Sequence, residues 1–296
     1  MKPFAIAGMQ LELSAIHENV THMGHRLEVL MSVYPWVQMV VFSELAPFGP
    51  LIKNAQPIPN ETEELFREWA RRHKIWLLPG SMFEQTENGI YNTATVINPE
   101  GEIVGRYRKM FPFRPYEEGV QGGTEFLTFD VPDVGRFGVS ICYDLWFPET
   151  ARTLAAQGVQ VILHPTLTGT IDRDVELAIV RATAAQNQCF VFGINGFGDC
   201  GNGQSILVGP AGEVLYKGQS APEMIPFEID LRRVERSREF GLRGLGQQLK
   251  SFRDRNVEFD VYGPEGKSWP YLGSLGPLVK PDRGTRAGLN PKELEQ

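Results

Sequence analysis

The chain has 296 residues, 42% of them hydrophobic and 22% charged, enough to bury a sizeable core without disulfide staples. Its 29 Lys and Arg against 36 Asp and Glu leave a formal charge of −7, which argues against a nucleic-acid partner because phosphate backbones are held by basic surfaces. Cys142, Cys189 and Cys200 are odd in number and scattered, so they supply neither a disulfide framework nor a zinc site and fit a reducing, cytoplasmic setting.

Met1-Lys2-Pro3 leads into a short apolar stretch, 4–9, then Gln10 and Glu12; this has neither the core nor the cleavage site of a signal peptide and reads as a first strand. Further strand-like runs rich in β-branched and aromatic residues follow at 37–42, 75–78, 91–98, 137–142, 159–164, 190–195, 205–209 and 225–229. Helical patterns lie between them at 14–34, 60–72, 148–157 and 172–188. In the second of these, Leu65, Phe66, Trp69 and Ala70 share a face, and Asn60 with Glu63 has the form of a capping box. Pro148 suits a first helical turn and Gly158 a helix stop. Alternating strands and helices predict an α/β layered fold, and the hairpin signals Asn88-Gly89, Pro99-Glu100-Gly101 and Pro210-Ala211-Gly212 predict that its sheets are mixed. No linker-like shift in composition appears before about residue 262, so the expectation is one domain over 1–262 and an extended Gly- and Pro-rich tail over 263–296. No apolar run approaches the roughly 18 residues of a membrane span and no polybasic block marks a membrane surface, leaving a soluble protein that acts on small molecules.

Three residues stand where their chemistry is conspicuous. Cys142 ends a strand-like run and precedes Tyr143-Asp144-Leu145-Trp146-Phe147-Pro148, a strand-to-helix turn that suits a nucleophile. Glu44 follows the apolar run ending Phe42-Ser43, at the strand end where open α/β sheets bind ligands. Lys109 closes Gly105-Arg106-Tyr107-Arg108 before an apolar, proline-containing loop. Taken singly, Cys142 also reads as a buried structural cysteine and the other two as ion-pair residues. Together they make a reaction centre: a carboxylate to take the thiol proton, a thiolate to attack a carbonyl, and an ammonium to stabilise the thiolate and the oxyanion that follows.

At Ser43-Glu44-Leu45, Tyr107-Arg108-Lys109 and Ser140-Ile141-Cys142-Tyr143-Asp144, followed by Phe147-Pro148-Glu149, the chain resembles the carbon-nitrogen hydrolase, or nitrilase, superfamily over roughly residues 4–240. Arg181-Ala182-Thr183-Ala184-Ala185-Gln186-Asn187 and Gly209-Pro210-Ala211-Gly212-Glu213-Val214 resemble its later helix and hairpin. The resemblance implies an α-β-β-α four-layer sandwich of two mixed β-sheets flanked by helices, and a homo-oligomer, a dimer or a multiple of dimers. It implies Glu44 as general base, Lys109 as oxyanion stabiliser and Cys142 as the nucleophile of a thioester acyl-enzyme, with no metal or organic cofactor. Glu117, eight residues after Lys109, stands in a loop that resembles that of aliphatic amidases and formamidases, where a second glutamate positions substrate or water. Tyr143-Asp144 after the cysteine, where nitrile-cleaving members typically carry Trp-Glu, favours a small carboxylic amide as substrate. The alternatives on the same triad are an N-carbamoyl amine hydrolase, suggested by the resemblance of ICYDLWFPE to carbamoyl-amide hydrolases, and a nitrilase. Ser43 and the Met110-Phe111-Pro112 segment depart from the commoner proline and histidine at those places. Tyr143, Trp146, Tyr116 and Phe48 are the candidate substrate-binding residues, with Phe147 in the same aromatic set.

Four other patterns carry less. Gly196-Phe197-Gly198-Asp199-Cys200-Gly201 matches a dinucleotide fingerprint, but a further strand-like run follows it in place of a helix. His17-Glu18 and His22 miss the spacing of a zinc-protease helix by one residue. The segment from Gly138 to Cys142 lacks the last glycine of a serine-hydrolase elbow, leaving Ser140 within a strand. Cys189 and Cys200 have no activating neighbours in sequence. A binding subunit that keeps the fold without the activity is the alternative of another class.

Overall fold

The computed structural model describes residues 3–263, 269–276, 278 and 280. Apolar side chains at every second position make each strand two-faced, and two sheets use that pattern in the same way. In the first, of eight strands, the order is Glu223–Ile229, Phe4–Gln10, Met39–Phe42, Trp76–Leu78, Gly89–Ile97, Met82–Thr86, with Ile103–Arg108 and Val120–Gln121 also paired to Gly89–Ile97. In the second, of six, it is Val214–Lys217, Ile206–Val208, Phe190–Asn195, Val161–Thr166, Gly135–Val139, Thr128–Val131. Each sheet is mixed. Phe4–Gln10, Met39–Phe42 and Trp76–Leu78 run parallel, as do Gly135–Val139, Val161–Thr166 and Phe190–Asn195, and antiparallel strands extend both sets.

Parallel neighbours need crossover connections, and helices supply them. Helices α1 (Val20–Val33) and α2 (Glu61–His73) cover the outer face of the first sheet, and α3 (Pro148–Ala156) and α4 (Arg173–Asn187) that of the second. Met39 and Val41 point between the sheets while Val40 and Phe42 point to α1 and α2; Val161 and Leu163 point between the sheets while Ile162 faces α3 and α4. The layers are therefore helix, sheet, sheet, helix. Each large apolar side chain in them contributes about 1.5–3 kcal/mol of burial. Gly8 permits the close approach of the sheets, since a Cβ there would run into the Ile194 side chain.

Local departures from the expected elements have local causes. The first helix begins at Val20 instead of 14, because Asn19 binds Ser14 N–H at 2.9 Å and the Ser14 and Ala46 carbonyls at 3.0 Å, and Glu18 accepts from Val20 N–H at 2.7 Å. Such polar side chains close a turn in competition with helix. At α2, Asn60 accepts from Glu63 N–H at 2.8 Å, but the Glu63 carboxylate does not reach back; it binds Thr95 and, at 2.9 and 2.7 Å, Arg106. The strand expected to reach 142 ends at Val139, and residues Cys142–Trp146 form a tight 3-10 turn. Strands Met82–Thr86, Ile103–Arg108, Thr128–Val131 and Val214–Lys217 lacked a sequence signal because each is short and carries charged residues among its apolar ones. Helix α5 (Arg232–Phe240) was hidden in the same way, burying Val234 and Ser237 in an otherwise polar segment.

The three hairpin signals do join antiparallel strands. The glycine-rich stretch after Asn195 pairs Phe197–Gly198 with Glu12–Leu13, and the chain continues into strand Ile206–Val208. Of the tail, residues 264–268, 277, 279 and 281–296 lie outside the described residues, and the described part includes the short helix Pro270–Ser274.

Candidate active site

Three chain segments leaving strand ends meet on one side of the sandwich. Glu44 follows Met39–Phe42, Lys109 follows Ile103–Arg108, and Cys142 lies three residues beyond Gly135–Val139. The Glu44 turn is tied to the opposite sheet by Glu44 N–H, which donates to the Thr166 carbonyl at 3.2 Å, and to its own sheet by Leu45 N–H, which donates to Ser81 Oγ at 3.0 Å. Leu45 takes a positive φ of 52°, and Gly80, with φ +81°, lies so close to the Ser43 carbonyl that a Cβ would collide with it.

Lys109 sits between two carboxylates. Its Nζ donates to Glu44 Oε1 and to Glu117 Oε2, each at 2.8 Å. Asn92, in the long central strand of the first sheet, completes the cluster: its Nδ2 donates to Glu44 Oε1 at 2.8 Å and to Glu117 Oε1 at 3.4 Å, and its carbonyl accepts Lys109 N–H at 2.8 Å. Phe113 N–H donates to Glu117 Oε2 at 2.5 Å, so the proline-rich loop closes on the ion cluster. Glu44 and Lys109 are 2% and 1% exposed, and charges that deep persist only when paired and hydrogen-bonded.

Cys142 opens the 3-10 turn with φ 44°, a conformation that costs a non-glycine residue about 1–2 kcal/mol. Asp144 holds it there. One buried oxygen accepts Ile141 N–H at 2.9 Å and the Tyr107 hydroxyl at 2.7 Å, and the other accepts Phe111 N–H at 2.8 Å. A single carboxylate therefore fastens the cysteine turn to both sides of Lys109. Burial pushes its own titration up to about 6, opposed by those same three donors.

The charges follow from depth and pairing. Burial would discharge Lys109, but its acidic neighbours, Glu44 first and then Cys142 and Glu117, outweigh it and hold the ammonium well above its usual range. Burial and the Glu44 charge push the Cys142 thiol well up against the pull of Lys109, so the resting group is a thiol. Burial also raises Glu44, opposed chiefly by Lys109. His164 lies beside Ser140 Oγ at 3.2 Å, and burial with the nearby Arg173 charge lowers it to about 3, a neutral imidazole. Ser140, expected within the strand, follows its last paired residue and hydrogen-bonds the Leu163 carbonyl at 3.1 Å. Cys189 and Cys200 are buried elsewhere, both pushed up to about 12.

A cavity of about 460 Å³ opens above this cluster. Glu44, Lys109, Glu117 and Cys142 line it, and so do Tyr116, Tyr143 and Trp146. Phe48 does not. The turn that closes with Gly49 N–H on the Leu45 carbonyl, 2.8 Å, sends its ring into the core under α1 and α2, so Phe48 is packing and its nearness to Glu44 in sequence was misleading. Phe147 likewise stays behind the wall, stacked on Phe111 with ring centroids 3.7 Å apart. Phe113, Asn92, Asp144 and Glu176 are site residues that sequence reasoning missed. Phe113 belongs to the same loop as Glu117, whereas Asn92 and Glu176 reach the site only through strand pairing and helix packing. Among the described residues no group of three or more His, Cys, Asp or Glu is arranged to hold a metal ion, and no helix is long and apolar enough to cross a membrane.

Residues 6–239 match the carbon-nitrogen hydrolase family. The chain belongs to that family. It is a hydrolase acting on carbon–nitrogen bonds, with the family's general Cys-Glu-Lys chemistry through a thioester. Human omega-amidase NIT2 is 28% identical over 285 residues, covering 90% of this chain and 99% of the relative. A 2-oxoglutaramate amidase of Bacillus subtilis (strain 168) is 28% identical over 211 residues, 68% of this chain and 81% of the relative. A carbon-nitrogen hydrolase from Helicobacter pylori G27 superposes with a TM-score of 0.75 at 25% identity, over 88% of this chain and 98% of its own. Saccharomyces cerevisiae Nit3, from branch 10 of the nitrilase superfamily, gives 0.74 at 26% identity over 80% and 94%. This carbon-nitrogen hydrolase thus has the expected α-β-β-α sandwich of mixed sheets.

Proposed function

We propose that this carbon-nitrogen hydrolase is an amidase that converts a small carboxylic amide and water to the acid and ammonia. The observation that carries the reading is a buried lysine clamped between two glutamates beside a buried cysteine, all lining one cavity. A resting thiol needs a base, and Glu44 is the base beside it. As Cys142 Sγ bonds to the amide carbon, its proton passes to Glu44, and Lys109 stabilises the oxyanion. Collapse of the adduct breaks the C–N bond, with Glu44 returning the proton to the departing ammonia. Water then attacks the thioester with Glu44 again as base, releasing the acid and restoring the thiol. Glu117 holds Lys109 and Phe113 in place and offers its carboxylate to substrate or water. Tyr143, Trp146 and Tyr116 form the substrate wall.

Similarity to an omega-amidase and to a 2-oxoglutaramate amidase supports an amide over a nitrile or an N-carbamoyl amine. The setting proposed is a reducing cytoplasm, supported by three free thiols. Self-association is part of the same reading, supported by exposed apolar residues near the C-terminal end, among them Val257, Tyr271 and Leu272.

Ammonia release is to be measured from aliphatic amides, aromatic amides, N-carbamoyl amines and nitriles, with Cys142→Ala beside the parent. Amides are expected to release ammonia at rates that fall at least about 10³-fold in the variant, the scale set by losing a nucleophile. Preferential release from nitriles or carbamoyl amines replaces the amide reading, and a folded protein silent on all four favours a binding subunit.

A further inference from the structure

The amidase reading leaves two acidic residues of the cavity unused. Glu176, in α4, is 6% exposed and lines the cavity beside Cys142. Arg173, one turn earlier and itself 2% exposed, donates to Glu176 Oε2 at 2.9 Å and to the Gln204 carbonyl at 2.9 Å, which holds the guanidinium outside the cavity lining. Among the described residues no donor reaches Glu176 Oε1. Asp172 lines the same wall and accepts the Thr170 hydroxyl. Lys109, already committed to Glu44 and Glu117, is the one cation among the described lining residues. Tyr116, Tyr143 and Trp146 line the same cavity, and the faces of such rings attract cations. Tyr116 already has one near it, Lys280, whose Nζ lies 5.0 Å from the ring centroid.

We infer that Asp172 and Glu176 set substrate charge: the cavity takes amides whose far end is neutral or cationic and rejects those bearing a second carboxylate. The inference rests on the amidase reading of this cavity. An anionic chain reaching the Asp172 and Glu176 carboxylates meets like charges and, among the described lining residues, no cation beyond the already paired Lys109, and a low-dielectric wall strengthens that repulsion. An ammonium meets a carboxylate oxygen without a donor and the aromatic faces.

Three amides of equal length separate the cases: pentanamide, 5-aminopentanamide and the monoamide of glutaric acid. In the parent at neutral pH, kcat/KM is expected to be at least about tenfold lower for the acid monoamide than for pentanamide, with the amine equal to or above pentanamide. Asp172→Asn and Glu176→Gln are each read as the ratio of acid monoamide to pentanamide within one preparation, which a general loss of folded protein does not move; both ratios are expected to rise. Asp172→Asn stands independently if Glu176→Gln fails to fold for want of a partner to Arg173. An acid monoamide equal to or better than pentanamide in the parent, or ratios unmoved in the folded variants, overturns the inference. Binding of the same three amides to the Cys142→Ala protein ranks the charges without turnover. If no amide is hydrolysed, the amidase reading falls, and the binding order alone then supports or overturns the charge preference.

Discussion

At the floor of the cavity Lys109 is 1% exposed and bound to two carboxylates, one of which is fixed again by Asn92 and the other by Phe113 N–H, whereas at the mouth Tyr116 is 54% exposed and stacked on Phe113. The floor is over-determined. Removing one of its charges strands the others in a low-dielectric interior, so its geometry follows from electrostatics. The mouth is made of rings in contact, Tyr143 with Phe113 at 5.0 Å and with Trp146 at 6.0 Å, and such contacts tolerate exchange. On the proposed reading the floor sets the reaction type and the rings of the mouth, with Asp172 and Glu176, the choice of substrate, and substitution in each region tests the division.

Lys109→Met strikes the floor hardest. It removes the oxyanion stabiliser and leaves Glu44 and Glu117 facing each other without the cation, so kcat is expected to fall about 10²–10³-fold or more, with a loss of about 3–5 kcal/mol of stability. Steady-state kinetics and urea unfolding check the two effects separately.

Asp144→Asn tests whether the floor needs its anchor. An amide cannot accept from all three donors, so the Cys142 turn loosens; a drop of about tenfold or more in kcat and a cost of about 1–3 kcal/mol are expected. The change also has a pH signature. The folded Asp144 titrates at about 6, above the unfolded value near 4, so between these pH values the folded state holds the extra proton and loses this contribution to stability as pH rises. The parent's stability relative to Asp144→Asn is expected to decline by up to about 3 kcal/mol from pH 4 to 7, read from denaturant unfolding at the two ends.

Trp146→Ala probes the mouth and sharpens the contrast by its mildness. It is expected to raise KM several-fold, leave kcat within about threefold and cost no more than about 1–2 kcal/mol, because the half-buried ring lines the cavity while the cluster below keeps its own bonds. A collapse in kcat comparable to that of Lys109→Met shows instead that the mouth shapes the floor.

The layered fold was legible because inward-facing Met39, Val41, Val161 and Leu163 alternate with outward-facing Val40, Phe42 and Ile162. Glu44 and Cys142 were legible because each ends an apolar run with a group that is costly to bury alone, and Lys109 because it closes a strand-like run before the apolar, proline-containing loop at Met110-Phe111-Pro112. Phe48 failed as a wall residue because five residues of turn suffice to reverse a side chain's direction, and one-dimensional nearness carries no information about that. Asp144 was read as a marker of substrate class, yet its side chain turns away from the cavity to bind Ile141, Tyr107 and Phe111.

By itself the sequence determined the alternation of strands and helices, the three hairpin turns and the presence of a thiol, a carboxylate and an ammonium at the ends of strand-like segments, because periodicity, turn chemistry and the cost of buried charge are local properties. Only the tertiary structure decided that these groups share one cavity, that Glu117 and Asn92 close the cluster around Lys109, and that Glu176 reaches it from α4 with Arg173 behind. Those pairings join residues from distant parts of the chain, and their energies exist only once sheet register and helix packing have brought the partners within hydrogen-bonding distance.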